Sequence, residues 1–187
     1  MISVAEAQAR LLGLASPLPP VERELMQAVR HYLHAPLTAI RTQPAADLSA
    51  MDGYAVAAGD FPGPWRVIGE SAAGHPFAGA LQSGEAVRIF TGAHVPRNAD
   101  SVLIQENASR NGDIMRVTEN RALKIGGNIR RLGSDFQAGD QVLPAGSYLD
   151  AGAIAVAAMA GHGKLAVGGV PRIAIADTGD ELVAVGA

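Results

Sequence analysis

The sequence contains no cysteine, and this absence excludes disulfide bonds, thiolate metal sites and cysteine nucleophiles. It also lacks an excess of basic charge, because 15 Lys and Arg stand against 18 Asp and Glu, for a formal net charge of -3. Proteins that bind the phosphates of nucleic acids need a basic surface. We therefore expect no nucleic-acid partner.

Long apolar runs are missing as well. No run reaches the roughly 18 residues expected of a membrane span. The first residues, MISVAEAQARLL, place Glu6, Gln8 and Arg10 where a signal peptide needs an apolar stretch. We therefore expect no membrane association and a cytoplasmic location.

The composition is that of an ordinary globular protein with a packed core. Of 187 residues, 48% are hydrophobic and 18% are charged. This length allows one domain or two small ones.

Two helices are predicted near the N-terminus. Ser3 and Glu6 have the spacing of a capping box, which predicts a first helix over residues 3 to 15. A second helix ending near His34 is predicted from apolar residues that recur at every fourth position, namely Val21, Leu25, Val29 and Leu33.

From Leu37 onward the pattern changes to short apolar runs separated by Gly, Pro, Asn and Asp. The runs WRVIG, AVRIF, SVLIQ and IMRVT predict a block of short antiparallel strands over about residues 48 to 136. No helical pattern intervenes, so a small barrel or coiled sheet fits better than a parallel sheet.

Beyond this block the sequence predicts further elements in a fixed order. QVLPA is expected to be a strand, and DAGAIAVAAMAGHG is expected to be a helix with Asp150 as its N-cap. The strand KLAVG follows, and a last apolar strand runs from Arg172 to Ala176.

Three polar clusters are candidates for chemistry. The first is SAMDGYA, residues 49 to 55, in which Asp52 and Gly53 are a strong turn signal because glycine readily adopts a positive φ. The second is NIRRLGSD, residues 128 to 135, in which Arg130 and Arg131 would suit an oxyanion or phosphate clamp. Alternatively, adjacent arginines on a strand point to opposite faces, and the pair is a solvated surface.

The third cluster is IAIADTGDEL, in which Asp177, Asp180 and Glu181 follow an apolar strand. Carboxylates and a hydroxyl at the end of a strand suit Mg²⁺, which takes oxygen ligands. Alternatively, Asp180 caps a following helix or the glycine makes a turn. The tripeptide DTG also occurs in aspartic proteases, but no second DTG exists and only ten residues follow Asp177.

The order of these motifs resembles the MoeA-type molybdopterin molybdotransferases, whose eukaryotic counterpart is the E domain of gephyrin. The resemblance rests on SAMDGYA, VRIFTGAHVP, VLIQEN, NIRRLGSD, AGD and TGDEL, and it covers nearly the whole chain. It implies a catalytic role for Asp52, Thr91, Asp135 and Glu181, a substrate-binding role for Arg130, Arg131, Gly92 and Thr178, and a metal-binding role for Asp180 and Glu181.

Members of this family insert molybdenum from molybdate into adenylated molybdopterin, with Mg²⁺ as cofactor and with release of AMP. The resemblance therefore implies an enzyme of molybdenum cofactor biosynthesis that takes small-molecule substrates. It also implies a homodimer whose active sites are formed between subunits, and contacts with other proteins of that biosynthesis.

The resemblance implies an α+β fold that is mainly β. A discontinuous domain I would comprise residues 1–47 and 137–170, a barrel-like domain II residues 48–136, and the start of a molybdopterin-binding domain III residues 171–187. We expect the chain to be the N-terminal half of a molybdotransferase that is inactive alone. Two positions depart from the family, since Ser134 stands where glutamate is frequent and Asp177 stands where serine is usual.

A second hypothesis is that the chain is a non-catalytic dimerisation or scaffold module that keeps the family's loops as structure. In that case Asp52 and Gly53 are a turn, and Arg130 is a surface charge.

Overall fold

A computed structural model describes residues 2–16, 18–119, 122–175, 178–184 and 186. The chain divides into two compact units, one comprising residues 1–37, 143–158 and 162–187, and the other comprising residues 38–142 and 159–161. The fold is mainly β with few helices. The assignment of residues 48–136 to a separate domain II stays a prediction.

The helices are α1 (Val4–Gly13) and α2 (Ala151–Met159). The strands are β1 (Pro20–Glu24), β2 (Leu37–Thr38), β3 (Leu48–Ser49), β4 (Gly53–Val56), β5 (Trp65–Ser71), β6 (Glu85–Ile89), β7 (Ser101–Ile104), β8 (Ala108–Asn111), β9 (Ile114–Val117), β10 (Ile129–Arg130), β11 (Gln141–Leu143) and β12 (Lys164–Gly168).

Both predicted capping residues are confirmed. The Ser3 hydroxyl accepts a hydrogen bond from the Glu6 backbone N–H at 3.2 Å, and the Asp150 carboxylate accepts one from the Ala153 N–H at 2.8 Å. The apolar side chains of α1 are not buried, and α2 contributes Ile154 and Ala157 to the core. Neither helix, nor any other in the described residues, is long and apolar enough to cross a membrane.

The predicted second helix is wrong. Residues Pro20–Glu24 instead form β1, which pairs antiparallel with β12, and a short 3₁₀ turn over Leu25–Gln27 follows. Arg30 has a φ of +67°, a conformation that an α-helix cannot contain. The strand pairing uses backbone groups that the helix would have needed, so the fourfold apolar spacing was misleading.

The predicted last strand is also wrong for the residues that the structure describes. Residues 172–175 have no regular secondary structure, and Ile173 and Ile175 are 81% and 86% exposed. A strand forms only with a hydrogen-bonded neighbour, and no described strand pairs with this segment. Ala176 and Asp177 lie outside the described residues.

The second unit contains a six-stranded sheet with the strand order β7-β4-β6-β5-β9-β8. The four predicted apolar runs are confirmed as β5, β6, β7 and β9. The expectation of a purely antiparallel block is wrong, because β5 and β6 pair in parallel. Residues 72–84 return the chain from the end of β5 to the start of β6, and a parallel pair requires such a crossover.

Strand β4 lies between β7 and β6 in this sheet and is buried on both faces. Tyr54 and Val56 pack into a core cluster with Trp65 and Met115. Ala55 points to the opposite face, where it joins a second cluster with Ile89, Ala93 and Val102. The residues that precede β4 are therefore attached to the most buried part of the unit.

Gly53, the first residue of β4, is required for a reason that the sequence did not suggest. Its φ is not positive and it lies in a strand, and neither Asp52 nor Gly53 is part of a hydrogen-bonded turn, so the turn interpretation is wrong. Instead, a Cβ atom on Gly53 would lie 2.0 Å from the carbonyl oxygen of Leu103 on the neighbouring strand. Glycine is needed because two backbones approach too closely for any side chain.

We predict that Gly53→Ala lowers the free energy of unfolding by about 1–3 kcal/mol, because β4 must move away from β7 to relieve the overlap. Urea unfolding followed by circular dichroism measures this loss. Gly59→Ala is the matched control, since a Cβ there meets no atom within 4 Å and the φ of Gly59 is not positive. Equal stability of the two variants would contradict the close-approach explanation.

Candidate functional site

Three chain segments lie side by side at the start of β4. The Ser49 N–H donates to the Ala93 carbonyl at 2.9 Å, and the Gly92 N–H donates to the Ser49 carbonyl at 2.8 Å. On the other side, β3 pairs antiparallel with β10. The segments that carry Asp52, Thr91 and Arg130 are thus joined by backbone hydrogen bonds within one unit.

The Asp52 carboxylate is held by Thr91. Its Oδ1 atom accepts hydrogen bonds from the Thr91 N–H at 2.7 Å and from the Thr91 hydroxyl at 2.9 Å. Gly92, the next residue, has a φ of +80°, so glycine at this position allows the turn that presents Thr91. Within the described part of the chain, the Oδ2 atom of Asp52 makes no hydrogen bond.

These contacts keep Asp52 ionised. The Thr91 N–H and hydroxyl bonds lower the pKa of Asp52 below its ordinary value, and the nearby Arg88 charge lowers it further. A half-buried carboxylate with one oxygen fixed and the other unbound can accept a hydrogen bond from a substrate or coordinate a cation.

Arg130 and Arg131 bind different carboxylates. The Nη2 atom of Arg130 donates to Oδ2 of Asp135, and the Nη1 atom of Arg131 donates to Oδ2 of Asp47. Their side chains are 49% and 51% exposed, and each ion pair uses one terminal nitrogen. Among the described residues, the remaining N–H groups of both guanidinium groups make no further hydrogen bond, so both can still bind an anion.

Asp47 is a member of this cluster that the sequence analysis missed. Its carboxylate accepts a hydrogen bond from the Leu132 N–H at 2.8 Å as well as the one from Arg131. The Leu132 hydrogen bond, followed by Arg131, lowers the pKa of Asp47. The only signal in the sequence was an acidic residue just ahead of the first motif.

The predicted residues of the TGDE element lie in the other unit. Thr178, Asp180 and Glu181 are exposed and belong to no helix or strand. The Leu182 N–H donates to the Gly179 carbonyl at 3.2 Å, which favours the turn alternative for this stretch. Asp177 lies outside the described residues.

The structure leaves the predicted metal ligands without a complete ligand set. No group of three or more His, Asp or Glu side chains that could hold a metal ion occurs among the described residues. Binding of a metal by Asp180 and Glu181 stays a prediction.

A cavity of about 270 Å³ lies elsewhere in the second unit, along β7. It is lined by residues 101–104 together with Asn107, Glu119, Ala122, Leu123, Lys124, Gly127 and Asn128. None of the predicted catalytic, substrate-binding or metal-binding residues lines this cavity.

Comparison with known proteins supports the motif-based resemblance. The family profile of the MoeA N-terminal region (domain I and II) matches residues 2–161. A molybdopterin molybdenumtransferase of Haemophilus influenzae is 34% identical over 189 residues, an alignment that covers 100% of this chain and 46% of the relative. One of a Nostoc species is 38% identical over 167 residues, covering 86% of this chain and 38% of the relative. The chain thus spans less than half the length of these curated relatives.

A solved structure gives the same result for the fold. The crystal structure of the molybdopterin biosynthesis MoeA protein from Pyrococcus horikoshii OT3 superposes with a TM-score of 0.83 at 29% sequence identity. The match covers 89% of this chain and 46% of that structure.

We predict that Thr91→Val raises the pKa of Asp52 toward its ordinary value, because the hydroxyl donor is lost while the shape is kept. Side-chain carboxyl titration by NMR measures the change. The carboxyl group of Asp47 is an internal control, since Thr91 does not contact it.

Thr91→Val should also change how the stability of the folded protein depends on pH. A lowered folded-state pKa stabilises the protein above the unfolded pKa, and this stabilisation is lost as the pH falls through the folded pKa. In Thr91→Val the folded-state pKa of Asp52 lies nearer the unfolded one, so this stabilisation should be smaller and its loss should be complete at a higher pH than in wild type. An unchanged Asp52 titration would show that the Thr91 hydroxyl does not stabilise the carboxylate.

Proposed function

The chain belongs to the family of the MoeA N-terminal region, and we propose that it is the N-terminal part of a molybdopterin molybdotransferase. The observation that carries this proposal is the Asp52 carboxylate, which is ionised, fixed by Thr91 and unbound at one oxygen. The relatives named as molybdopterin molybdenumtransferases support the same reaction class.

The proposed reaction inserts molybdenum from molybdate into the dithiolene of adenylated molybdopterin and releases AMP. All of these substrates are anions, so the site needs fixed positive charge. Arg130 and Arg131 supply it, because half of each side chain is exposed and several of their N–H donors are unused. Asp135 and Asp47 keep the two guanidinium groups in place until an anion binds.

The residues of the second unit, which contains Asp52, fit a Mg²⁺ ion that is brought in with the substrate. Mg²⁺ usually binds one or two carboxylates together with substrate phosphates and water, without a dedicated cage of protein ligands. Asp52 would provide one carboxylate oxygen of this unit. The ion would neutralise charge on the adenylate as AMP leaves.

We further propose that the chain supplies one side of an active site shared between two subunits of a homodimer. The matched relatives are more than twice as long as the aligned part, which leaves room for domains that contact the rest of the substrate. On this proposal, the 187-residue chain alone is inactive.

The test is AMP release from adenylated molybdopterin in the presence of molybdate and Mg²⁺. The full-length product of the reading frame and the 187-residue chain are assayed side by side. We expect release only from the full-length product. Clear turnover by the 187-residue chain would contradict the proposal that it holds half a site.

We predict that Asp52→Asn in the full-length product lowers the rate of AMP release at least ~100-fold, because an electrostatic contact in the active site is lost. Asp113→Asn is the matched control, since Asp113 is highly exposed and only weakly paired with Arg110. A wild-type rate in Asp52→Asn would refute the assignment of Asp52.

A scaffold function is the second candidate, and the exposed apolar side chains Val4, Leu11 and Leu12 of α1 favour it. Such a module would self-associate without turnover. Light scattering across concentrations together with the AMP assay separates the two, because only the transferase releases AMP.

A further inference from the structure

Arg88 lies on β6 of the six-stranded sheet, and the resemblance assigned no role to it. In the pairing of β4 with β6, Arg88 lies directly opposite Tyr54, so both side chains are on the same face. Phe90 follows two residues later along the chain. The Arg88 guanidinium carbon lies 5.3 Å from the Tyr54 ring centroid and 4.7 Å from that of Phe90. Both rings hold the guanidinium group through cation–π contacts.

The donors of Arg88 point at the residues that surround Asp52. Nη1 donates to the Gly53 carbonyl at 2.9 Å, and Nη2 donates to Oε1 of Gln105 at 2.7 Å. The Gln105 N–H in turn donates to the Asp52 carbonyl at 3.0 Å. The Arg88 guanidinium group therefore binds both Gly53, which follows Asp52 in the chain, and Gln105, which is hydrogen-bonded to the Asp52 backbone.

We propose that Arg88 is a positioning residue that holds the Asp52 backbone, and through it the Asp52 carboxylate, in the orientation required for transfer. The proposal deepens the proposed function and rests on it. Arg88 acts through Asp52 and its neighbours and does not itself contact the substrate.

The charge arrangement separates Arg88 from Arg66, Arg130 and Arg131 of the same unit. Arg66, Arg130 and Arg131 each pair with a carboxylate, whereas Arg88 has no carboxylate within ion-pair distance among the described residues. Its unneutralised charge adds to the Thr91 hydrogen bonds in lowering the pKa of Asp52. A surface arginine that served solubility alone would need neither the two rings nor the two oxygen acceptors.

The geometry requires arginine and not only a positive charge. A guanidinium group is planar and can bind two acceptors while it stacks on aromatic rings, whereas a lysine ammonium group offers a single point charge. Arg88→Lys should therefore retain more of the function than Arg88→Met, because it keeps the charge and one hydrogen bond.

The test compares Arg88→Met, Arg88→Lys and Arg66→Met. Arg66 is the matched control, because it lies on the neighbouring strand β5 and pairs with Glu85 at 2.8 Å. Amide hydrogen exchange of Gln105 and Thr91 reports the two amides that bond to Asp52. Thermal unfolding by circular dichroism shows whether each variant is folded.

In Arg88→Met we expect exchange at these two amides to accelerate roughly tenfold or more, because the hydrogen bonds that hold the Asp52 segment are lost. Arg66→Met should leave them unchanged. Unchanged exchange in a folded Arg88→Met would overturn the proposal.

Kinetics in the full-length product distinguish positioning from substrate binding. Arg88→Met should lower kcat about 10- to 100-fold with KM within about threefold of wild type, since a displaced catalytic group affects the chemical step. Arg88→Lys should give an intermediate kcat. A large rise in KM with unchanged kcat would mean that Arg88 binds substrate directly, and it would overturn the positioning role.

A double substitution completes the test. If Arg88 acts through Asp52, then Arg88→Met in an Asp52→Asn background should cost less than about a further twofold. If the double variant lost activity by the product of the two single-variant losses, the proposal would be contradicted. Absence of AMP release from wild type would refute the proposed function, and hydrogen exchange would still decide whether Arg88 holds Asp52.

Discussion

The close approach of the Gly53 backbone to the carbonyl group of Leu103 is the contact on which the arrangement of the site depends. It joins β4 to β7 at the point where the chain leaves the polar segment and enters the core. Because Tyr54, Ala55 and Val56 are buried immediately afterwards, Asp52 is attached to a strand whose residues are all buried. A carboxylate anchored in this way is presented at a fixed position without being buried itself.

Near the contact between Gly53 and Leu103, the carboxylates and arginines of the second unit are arranged in two different ways. Arg130 and Arg131 are paired with Asp135 and Asp47, so their charge is held in place and partly neutralised. Asp52 is bound by neutral donors of Thr91, and its charge remains available. Two partly exposed cations and one ionised carboxylate on neighbouring segments are suited to a reaction among anions that also requires a metal ion.

The sequence predicted the parts of the fold that depend on local rules. The caps Ser3 and Asp150, the four apolar runs of the sheet, and the strand KLAVG follow from hydrogen-bonding groups and periodicity over a few residues. The predicted helix ending near His34 failed because β1 obtains its partner from β12, more than a hundred residues later in the chain. The parallel pairing of β5 with β6 was likewise determined by a long connection that has no local signature.

The candidate site shows the same division between local and long-range information. Asp52, Thr91, Gly92, Arg130 and Asp135 were found because motifs mark them, and the structure places them on adjoining segments. Asp47 and Arg88 were missed because their partners lie far away in sequence. In retrospect, an arginine in the otherwise apolar run AVRIF was the available signal, since a charged residue in a central strand needs a specific set of partners.

The central claim is that the free oxygen of Asp52 faces the reacting substrates. The most direct measurement is a crystal structure of the full-length product with adenylated molybdopterin and Mg²⁺ bound. The account predicts that Oδ2 of Asp52 lies within hydrogen-bonding or metal-coordination distance of the adenylate or the ion, while Oδ1 stays bound to Thr91. A substrate bound with Asp52 still facing only solvent would contradict it.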